Sequence, residues 1–163
     1  MDGIRRRSDA AFAAVHRALA SDLASFANGM LHDRHAAEDC VQQAFLDLAR
    51  TAHRFRGDGR ALIAWLYRTV RRRALDELRR RRRHPERSLG TTDPAGDDEY
   101  DSSVVEALGF LPPKDRELVV LRHVVGLRAD EVASITGRSR GAVYAATERA
   151  EARLRGILEE MDT

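Results

Sequence analysis

The stretch Leu127–Leu154, LRADEVASITGRSRGAVYAATERAEARL, decides the fold. It holds two apolar periodicities of helical spacing, broken once by Gly137. The first covers Ala129–Thr136. The second starts after Ser139, a residue suited to cap a helix, and places Val143, Ala146 or Thr147, Ala150, Leu154 and Ile157 on one face. Ala133 is small enough for two helices to cross closely, Gly137 suits a sharp turn needing positive φ, and Val143 is the apolar residue that packs the second helix on the first. This is the steric pattern of a helix-turn-helix, in which the N-terminus of the second helix is aimed at the major groove. An ordinary helical hairpin is the plainer alternative.

Outward from this stretch the chain stays helical. Pro112 and Pro113 mark a helix start, and a helix over Lys114–Val125 turns Leu118, Leu121 and Val125 inward before Gly126. Residues 84–103 break the pattern with Pro85, Gly90, Pro94 and Gly96, and they carry six acids against Arg87 alone, a net of −5. So few apolar side chains imply a flexible acidic linker. Before it lie three predicted helices. Ser8 caps the first, with Phe12, Val15, Leu19, Leu23, Phe26 and Met30 as its stripe; Asp33 caps the second, through about Arg50, with Val41, Ala44, Phe45 and Leu48 inward. A glycine-bearing loop over His53–Arg60 leads to a third helix from about Ala61 to Arg83, with Leu62, Trp65, Leu66, Val70, Leu75 and Leu78 as core candidates. The expected architecture is all-α, with two small helical domains, 8–83 and 104–160, joined by the linker 84–103.

Charge is segregated far more than the formal net of +2 suggests. Residues 53–83 carry twelve arginines against Asp58, Asp76 and Glu77, a net of +9, whereas residues 1–52 and 104–163 are each −1. A block this concentrated is an electrostatic footprint for polyanions. No apolar run is long enough to span a membrane, and no apolar segment follows Arg5, Arg6 and Arg7 as a signal peptide requires. The single cysteine, Cys40, excludes an internal disulfide and suits a reducing cytoplasm. His32, His35 and Cys40 are too few for a metal centre, and Cys40 falls at an apolar helix position. With no phosphate-binding glycine loop, nucleophile motif or paired catalytic carboxylates, we expect no cofactor, no metal and no enzymatic activity.

Three segments, AEDCVQQAFLDLAR (Ala37–Arg50), FRGDGRALIAWLYRTVRRRALDELRRRRR (Phe55–Arg83) and LPPKDRELVVLRHVVGLRADEVASITGRSRGAVYAATERAEARL (Leu111–Leu154), resemble in order the extracytoplasmic-function sigma factors. The resemblance covers their regions 2 and 4. It implies a subunit that binds core RNA polymerase and directs promoter recognition, DNA melting and transcription initiation, with an anti-sigma factor as a further partner. The helix matching Ala37–Arg50 would dock on the β′ clamp helices through Glu38, Asp39, Gln42, Gln43 and Asp47. The −10 strand would meet Arg56, Gly57, Asp58, Arg60, Tyr67, Arg68, Arg71, Arg72, Arg73, Arg79 and Arg80. Strand opening costs a few kcal/mol per unstacked base, so phosphate-binding arginines and an aromatic or pocketed base are needed to stabilise it. Of the two aromatics, Trp65 lies on the apolar stripe and is expected in the core, and Tyr67 is expected to be the more open.

Region 4 would contact the β flap and read the −35 element through Arg138, Ser139, Arg140, Tyr144 and Arg149. Here the chain departs from the family. Tyr144, Ala145 and Ala146 stand where a Lys/Arg-Ser-Arg run is common, Glu148 and Glu151 replace basic or neutral residues, Thr136 and Arg138 replace apolar ones, and Arg128 replaces a Ser or Thr cap. Fewer phosphate contacts imply weaker upstream-element binding. Two other readings fit parts of the pattern. A stand-alone dimeric helix-turn-helix regulator would use the second module alone, and a sigma-like interaction protein would keep its partners while losing promoter reading.

Overall fold

The computed structural model describes residues 1–84 and 102–162, which fall into two separate units. Every element among them is helical. The first unit consists of α1 (Asp2–Arg5), α2 (Asp9–Leu31), α3 (Arg34–Thr51), a 3-10 turn (Ala52–Arg54) and α4 (Gly59–Arg83). The second holds α5 (Ser102–Phe110), α6 (Pro113–Val119) with a π-helical turn (Val120–Val124), α7 (Ala129–Thr136) and α8 (Arg140–Met161). Most of the expected acidic linker, residues 85–101, lies outside the described residues. Its last two positions do not, and Ser102 and Ser103 already belong to α5.

Short polar side chains set where the long helices begin. Ser8, Asp33 and Asp58 accept hydrogen bonds from the backbone N–H groups of Ala11, Ala36 and Ala61 at 3.4, 3.0 and 2.9 Å. Each satisfies a donor that the first helical turn leaves open, an arrangement worth about 1 kcal/mol. Between these starts, α2, α3 and α4 pack on one another around Leu23, Phe26, Val41, Leu48, Leu62, Leu66 and Val70, all buried. Each side chain of this kind contributes roughly 1.5–3 kcal/mol by leaving water. Tyr67 joins them. It is 1% exposed, and its ring meets Phe26 edge-on with centroids 5.3 Å apart.

The end of α4 is fastened by one of its own arginines. Arg81 donates to Asp33 Oδ2 at 2.7 Å, to Glu77 Oε1 at 2.9 Å and to the Leu31 carbonyl at 3.2 Å. The run Arg79–Arg83 is therefore divided: Arg81 turns inward to the α2–α3 junction, and Arg79, Arg82 and Arg83 stay exposed. The hydrogen bond from Arg80, followed by that from Arg81, holds the Glu77 carboxyl below its ordinary range, although burial opposes them.

In the second unit Leu111, Val119 and Ala150 form a core against which Leu108, Leu154 and Ile157 pack. Val132, Ile135, Val143 and Ala146 are buried where α7 meets α8. The single helix expected over Lys114–Val125 is instead α6 followed by the wider turn. The Val125 N–H donates to the Val120 carbonyl at 3.0 Å, five residues back, and Gly126 then takes φ 72° so that the Leu127 N–H reaches the Leu121 carbonyl at 3.0 Å. Arg122 closes the turn by donating to the Leu127 carbonyl at 2.7 Å. Arg116 plays a similar part for α5, donating to the carbonyls of Leu108, Gly109 and Leu111 at 2.7, 2.7 and 3.2 Å. Burial lowers its pKa, and those carbonyls lie at and just past the end of α5, where a cation is favoured. Where α7 lacks a Ser or Thr cap, Glu131 reaches back to accept from the Arg128 N–H at 2.7 Å.

Arg81→Ala leaves the half-buried Asp33 carboxylate without its cation and Glu77 with Arg80 alone, so we expect a loss of about 2 kcal/mol, against less than about 0.5 kcal/mol for Arg82→Ala. Urea unfolding followed by fluorescence of Trp65, the only tryptophan, measures both. The folded pKa of Glu77 lies below an unfolded value near 4.3. Its carboxylate thus stabilises fully above about pH 5, and that contribution is lost as pH falls through the folded value. The stability difference between wild type and Glu77→Gln is expected to shrink steadily from pH 6 to pH 3.

Candidate polymerase and nucleic-acid interfaces

The outer face of α3 carries Glu38, Asp39, Gln42 and Gln43, all exposed. Arg34 pairs with Glu38 at 3.0 Å and His35 lies 3.9 Å from Asp39, both along the helix surface. Such exposed pairs are weak enough to exchange for a partner's charges. Leu46 shares this surface at 47% exposure. An apolar side chain left in water one turn after Gln42 and Gln43 gives the face a desolvatable centre. Sequence reading missed it because Leu46 was counted in neither the core stripe nor the polar face. Asp47 does not belong to the open face. It is half-buried and ion-paired with Arg73 across the α3–α4 contact, because both lie where the two helices meet.

That pair also withdraws Arg73 from the set expected at the −10 strand. Tyr67 leaves the set as well. One helical turn of 100° per residue carries it to the core side, beside Val70 and Ala74, where Phe26 covers it. The aromatic nearest the basic surface is Trp65, which is half-buried. It precedes Arg68 and Arg72 by three and seven residues and so shares their side of α4. Arg68, Arg72, Arg79 and Arg83 recur at intervals of four, seven and four, and all four are exposed. They form one stripe along the helix, while Arg71 is half-buried at its edge. Arg79 and Arg80 bond to Asp76 and Glu77 at 2.7 and 2.8 Å. These carboxylates temper the charge at the end of the stripe.

The expected loop through Arg60 ends at Asp58, because Gly59 and Arg60 already belong to α4; residues from Arg56 to Arg60 are exposed. Gly57 has φ 139°, a conformation that side chains rarely adopt, and a Cβ there would lie 2.6 Å from that of Ala61. Asp58 is committed to capping α4. Arg56 makes only long contacts, 3.4 Å, to the carbonyls of His53 and Phe55.

In the second unit, Ser139 Oγ accepts from the Ala142 N–H at 3.2 Å and fixes the start of α8. Arg140, Tyr144, Ala145, Glu148 and Arg149 are exposed on its first turns, and Arg138 is half-buried before it. The guanidinium carbons of Arg122 and Arg140 lie 5.9 and 5.8 Å from the centroid of the Tyr144 ring. Two cations on one ring orient an otherwise free aromatic. Arg122, 22 residues upstream of Tyr144 in the chain, could not be associated with this surface from spacing alone. Glu151 is bonded to His123 at 2.7 Å.

Cys40 is a buried free thiol on α3, and burial raises its pKa. It borders a cleft between α3 and α4 that Asp39, Gln43, Arg73 and Glu77 also line. Among the described residues no group of three or more His, Cys, Asp and Glu is placed to hold a metal ion, and no helix is long and apolar enough to cross a membrane.

Comparison with known proteins gives a consistent result. Residues 15–84 match sigma-70 region 2, and residues 102–154 match sigma-70 region 4. The ECF RNA polymerase sigma factor ShbA of Streptomyces griseus is 31% identical, over 78% of this chain and 74% of its own length. The RNA polymerase sigma factor CarQ of Myxococcus xanthus is 29% identical, over 99% of this chain and 97% of its own. Among solved structures, the sigma factor RpoE in complex with the anti-sigma factor NepR from Bartonella quintana superposes with a TM-score of 0.75 at 25% identity, covering 91% of this chain and 96% of that one.

If the α4 stripe tracks phosphates, Arg72→Ala lowers the slope of log affinity against log salt by about 0.7 for a single strand. Arg73→Ala leaves the slope unchanged and instead lowers stability, since its charge is already spent on Asp47. Anisotropy of a labelled oligonucleotide across a potassium chloride series reads the slope directly.

Proposed function

The chain belongs to the extracytoplasmic-function sigma factors, which act with RNA polymerase in transcription initiation, and from that premise we propose how its two units divide the work. The outer face of α3, Asp39, Gln42, Gln43 and Leu46, docks on the β′ clamp helices of core polymerase. Acid and amide groups around an exposed leucine suit a partner helix rich in arginine. The loop from Phe55 to Arg60 and the outer stripe of α4 receive the −10 strand once it opens. The observation that carries this reading is the partition of α4: one face is the unit's core, and the other carries the exposed Arg68, Arg72, Arg79 and Arg83, interrupted by Asp76, with Trp65 at its start.

The second unit contributes the upstream contact. The start of α8 offers the positive end of a helix, Arg140 and Arg149, and a Tyr144 ring held by Arg122 and Arg140. Glu148 on the same face repels phosphates, so this contact is weak and the first unit supplies more of the promoter affinity. Functional boundaries follow the regions 8–83 and 104–160, joined by 84–103, and the second unit also meets the β flap. An anti-sigma factor covering the polymerase-binding faces is the regulatory partner in this reading, which is supported by the likeness to RpoE, solved in complex with the anti-sigma factor NepR. The protein works in the cytoplasm and is not an enzyme.

We expect the full chain to co-elute with core polymerase and to direct initiation from specific sites in a library of genomic fragments. Leu46→Glu should weaken core binding by about tenfold or more, by placing a charge at the centre of the docking face, with the unfolding midpoint unchanged. Duplex DNA binding with no affinity for core polymerase would sink the assignment of α3.

A further inference from the structure

The segment before α2 packs on α2 and on the 3-10 turn. Ile4 is 3% exposed, although it lies in a helix of only four residues. Gly3 passes so close to α2 that a Cβ would lie 2.7 Å from that of Ala11, and its carbonyl accepts from the Ser8 N–H at 2.8 Å. Of the three consecutive arginines, Arg5 reaches the loop that precedes α4, and Arg7 reaches the end of α3 and the 3-10 turn that lead into it. Arg5 Nη2 donates to the Gly57 carbonyl at 3.0 Å. Arg7 Nη2 donates to the Arg50 carbonyl and to His53 Nδ1, both at 3.2 Å. Arg7 holds φ 58°, in the left-handed region that costs a non-glycine residue energy and persists only where surrounding contacts compensate. Arg6, between them, is exposed and makes none of these bonds.

The loop has few other restraints. The Phe55 N–H donates to the Ala52 carbonyl at 3.1 Å and Asp58 caps α4, but Gly57 itself has the widest backbone freedom of any residue. A reading loop that must be ordered by its ligand gives up affinity and discrimination to that ordering. A cation anchored by a buried isoleucine and bonded to the Gly57 carbonyl removes this freedom beforehand.

We propose that Met1–Ser8 is a strap that holds the Phe55–Asp58 loop in the conformation that captures an unstacked base, with Arg5 and Arg7 as positioning residues. The proposal rests on the assignment of that loop to the −10 strand. It requires no contact between either arginine and DNA.

The test uses holoenzyme assembled from the full chain and core polymerase. The probe is a fork-junction DNA whose single strand carries six randomised bases; enrichment of bases at each position after selection is the readout. Core affinity and unfolding midpoint are measured alongside. Wild type and Arg6→Ala are expected to enrich the same bases. Arg5→Ala/Arg7→Ala should lower the enrichment at the selected position by on the order of tenfold, the worth of one or two charge-assisted hydrogen bonds, with core affinity within about twofold. Arg5→Lys on the otherwise wild-type chain, which keeps a donor for the Gly57 carbonyl, should hold enrichment near the wild-type level; failure to do so overturns the hydrogen-bonding role. If Gly57→Ala abolishes enrichment while Arg5→Ala/Arg7→Ala retains it in full, the loop reads the strand and the strap proposal alone is wrong. If wild type enriches no base at any position, the loop assignment fails and the strap falls with it.

Discussion

The rotation of α4 about its own axis is the constraint on which the first unit depends, and Arg81 fixes it. A helix with twelve arginines in and around it could present several faces to solvent at similar cost, because charged side chains tolerate water anywhere. Only one of those rotations gives Arg81 the Asp33 carboxylate and the Leu31 carbonyl at once, the Glu77 pair being internal to α4. In that rotation Leu62, Leu66, Tyr67 and Val70 are buried, Arg73 meets Asp47, and the stripe of Arg68, Arg72, Arg79 and Arg83 faces out. The apolar face and the clamp enforce each other. A slip of one residue would turn α4 by 100° and cost both.

The same constraint explains which expectations survive in detail. Three helix starts were legible because they rest on local chemistry: Ser8, Asp33 and Ser139 are caps whose partners lie three residues away, whereas sequence reading assigns Asp58 to the loop and α4 begins at Gly59 rather than Ala61. The turn at Gly137 was legible for the same reason, since φ 72° suits glycine. Tyr67 is expected in the open when Trp65 is counted in the apolar stripe; Val70 and Ala74 instead place Tyr67 in the core, and Trp65 is half-buried on the side of Arg68 and Arg72. Spacing within α4 cannot fix the rotation of the helix. Asp33 and Phe26 fix it, and both lie outside α4. Asp47, Arg122 and the strap were missed on similar grounds, because each acquires its role from a partner distant in sequence.

The arginines illustrate a broader division. Composition assigns all of residues 53–83 to one electrostatic block, and as a long-range field that remains correct. At contact distance the block separates into residues whose charge is neutralised inside the fold, Arg73 and Arg81, and residues that retain exposed guanidinium groups, Arg68 and Arg72 among them. Counting arginines therefore overstates the number of phosphates the surface can neutralise. The weak link is not distributed evenly between the units either. The second unit spends Arg116 on the end of α5 and Arg153 on Asp115, and keeps Arg140 and Arg149 beside the opposing Glu148 on the start of α8.

That imbalance bears on how a promoter would be selected. A duplex contact that is weak in both charge and base-specific donors lowers the energy gained before strand opening, so discrimination shifts to the opened strand. Discrimination there depends on a loop of few residues, and a small loop discriminates well only when its backbone is fixed before the base arrives. The bonds from Arg5 and Arg7 to the neighbourhood of Gly57 thus matter more in this chain than they would in one with a strongly basic recognition helix. On the proposed assignment of the loop, sequence reading is concentrated where α1, the 3-10 turn and the start of α4 converge.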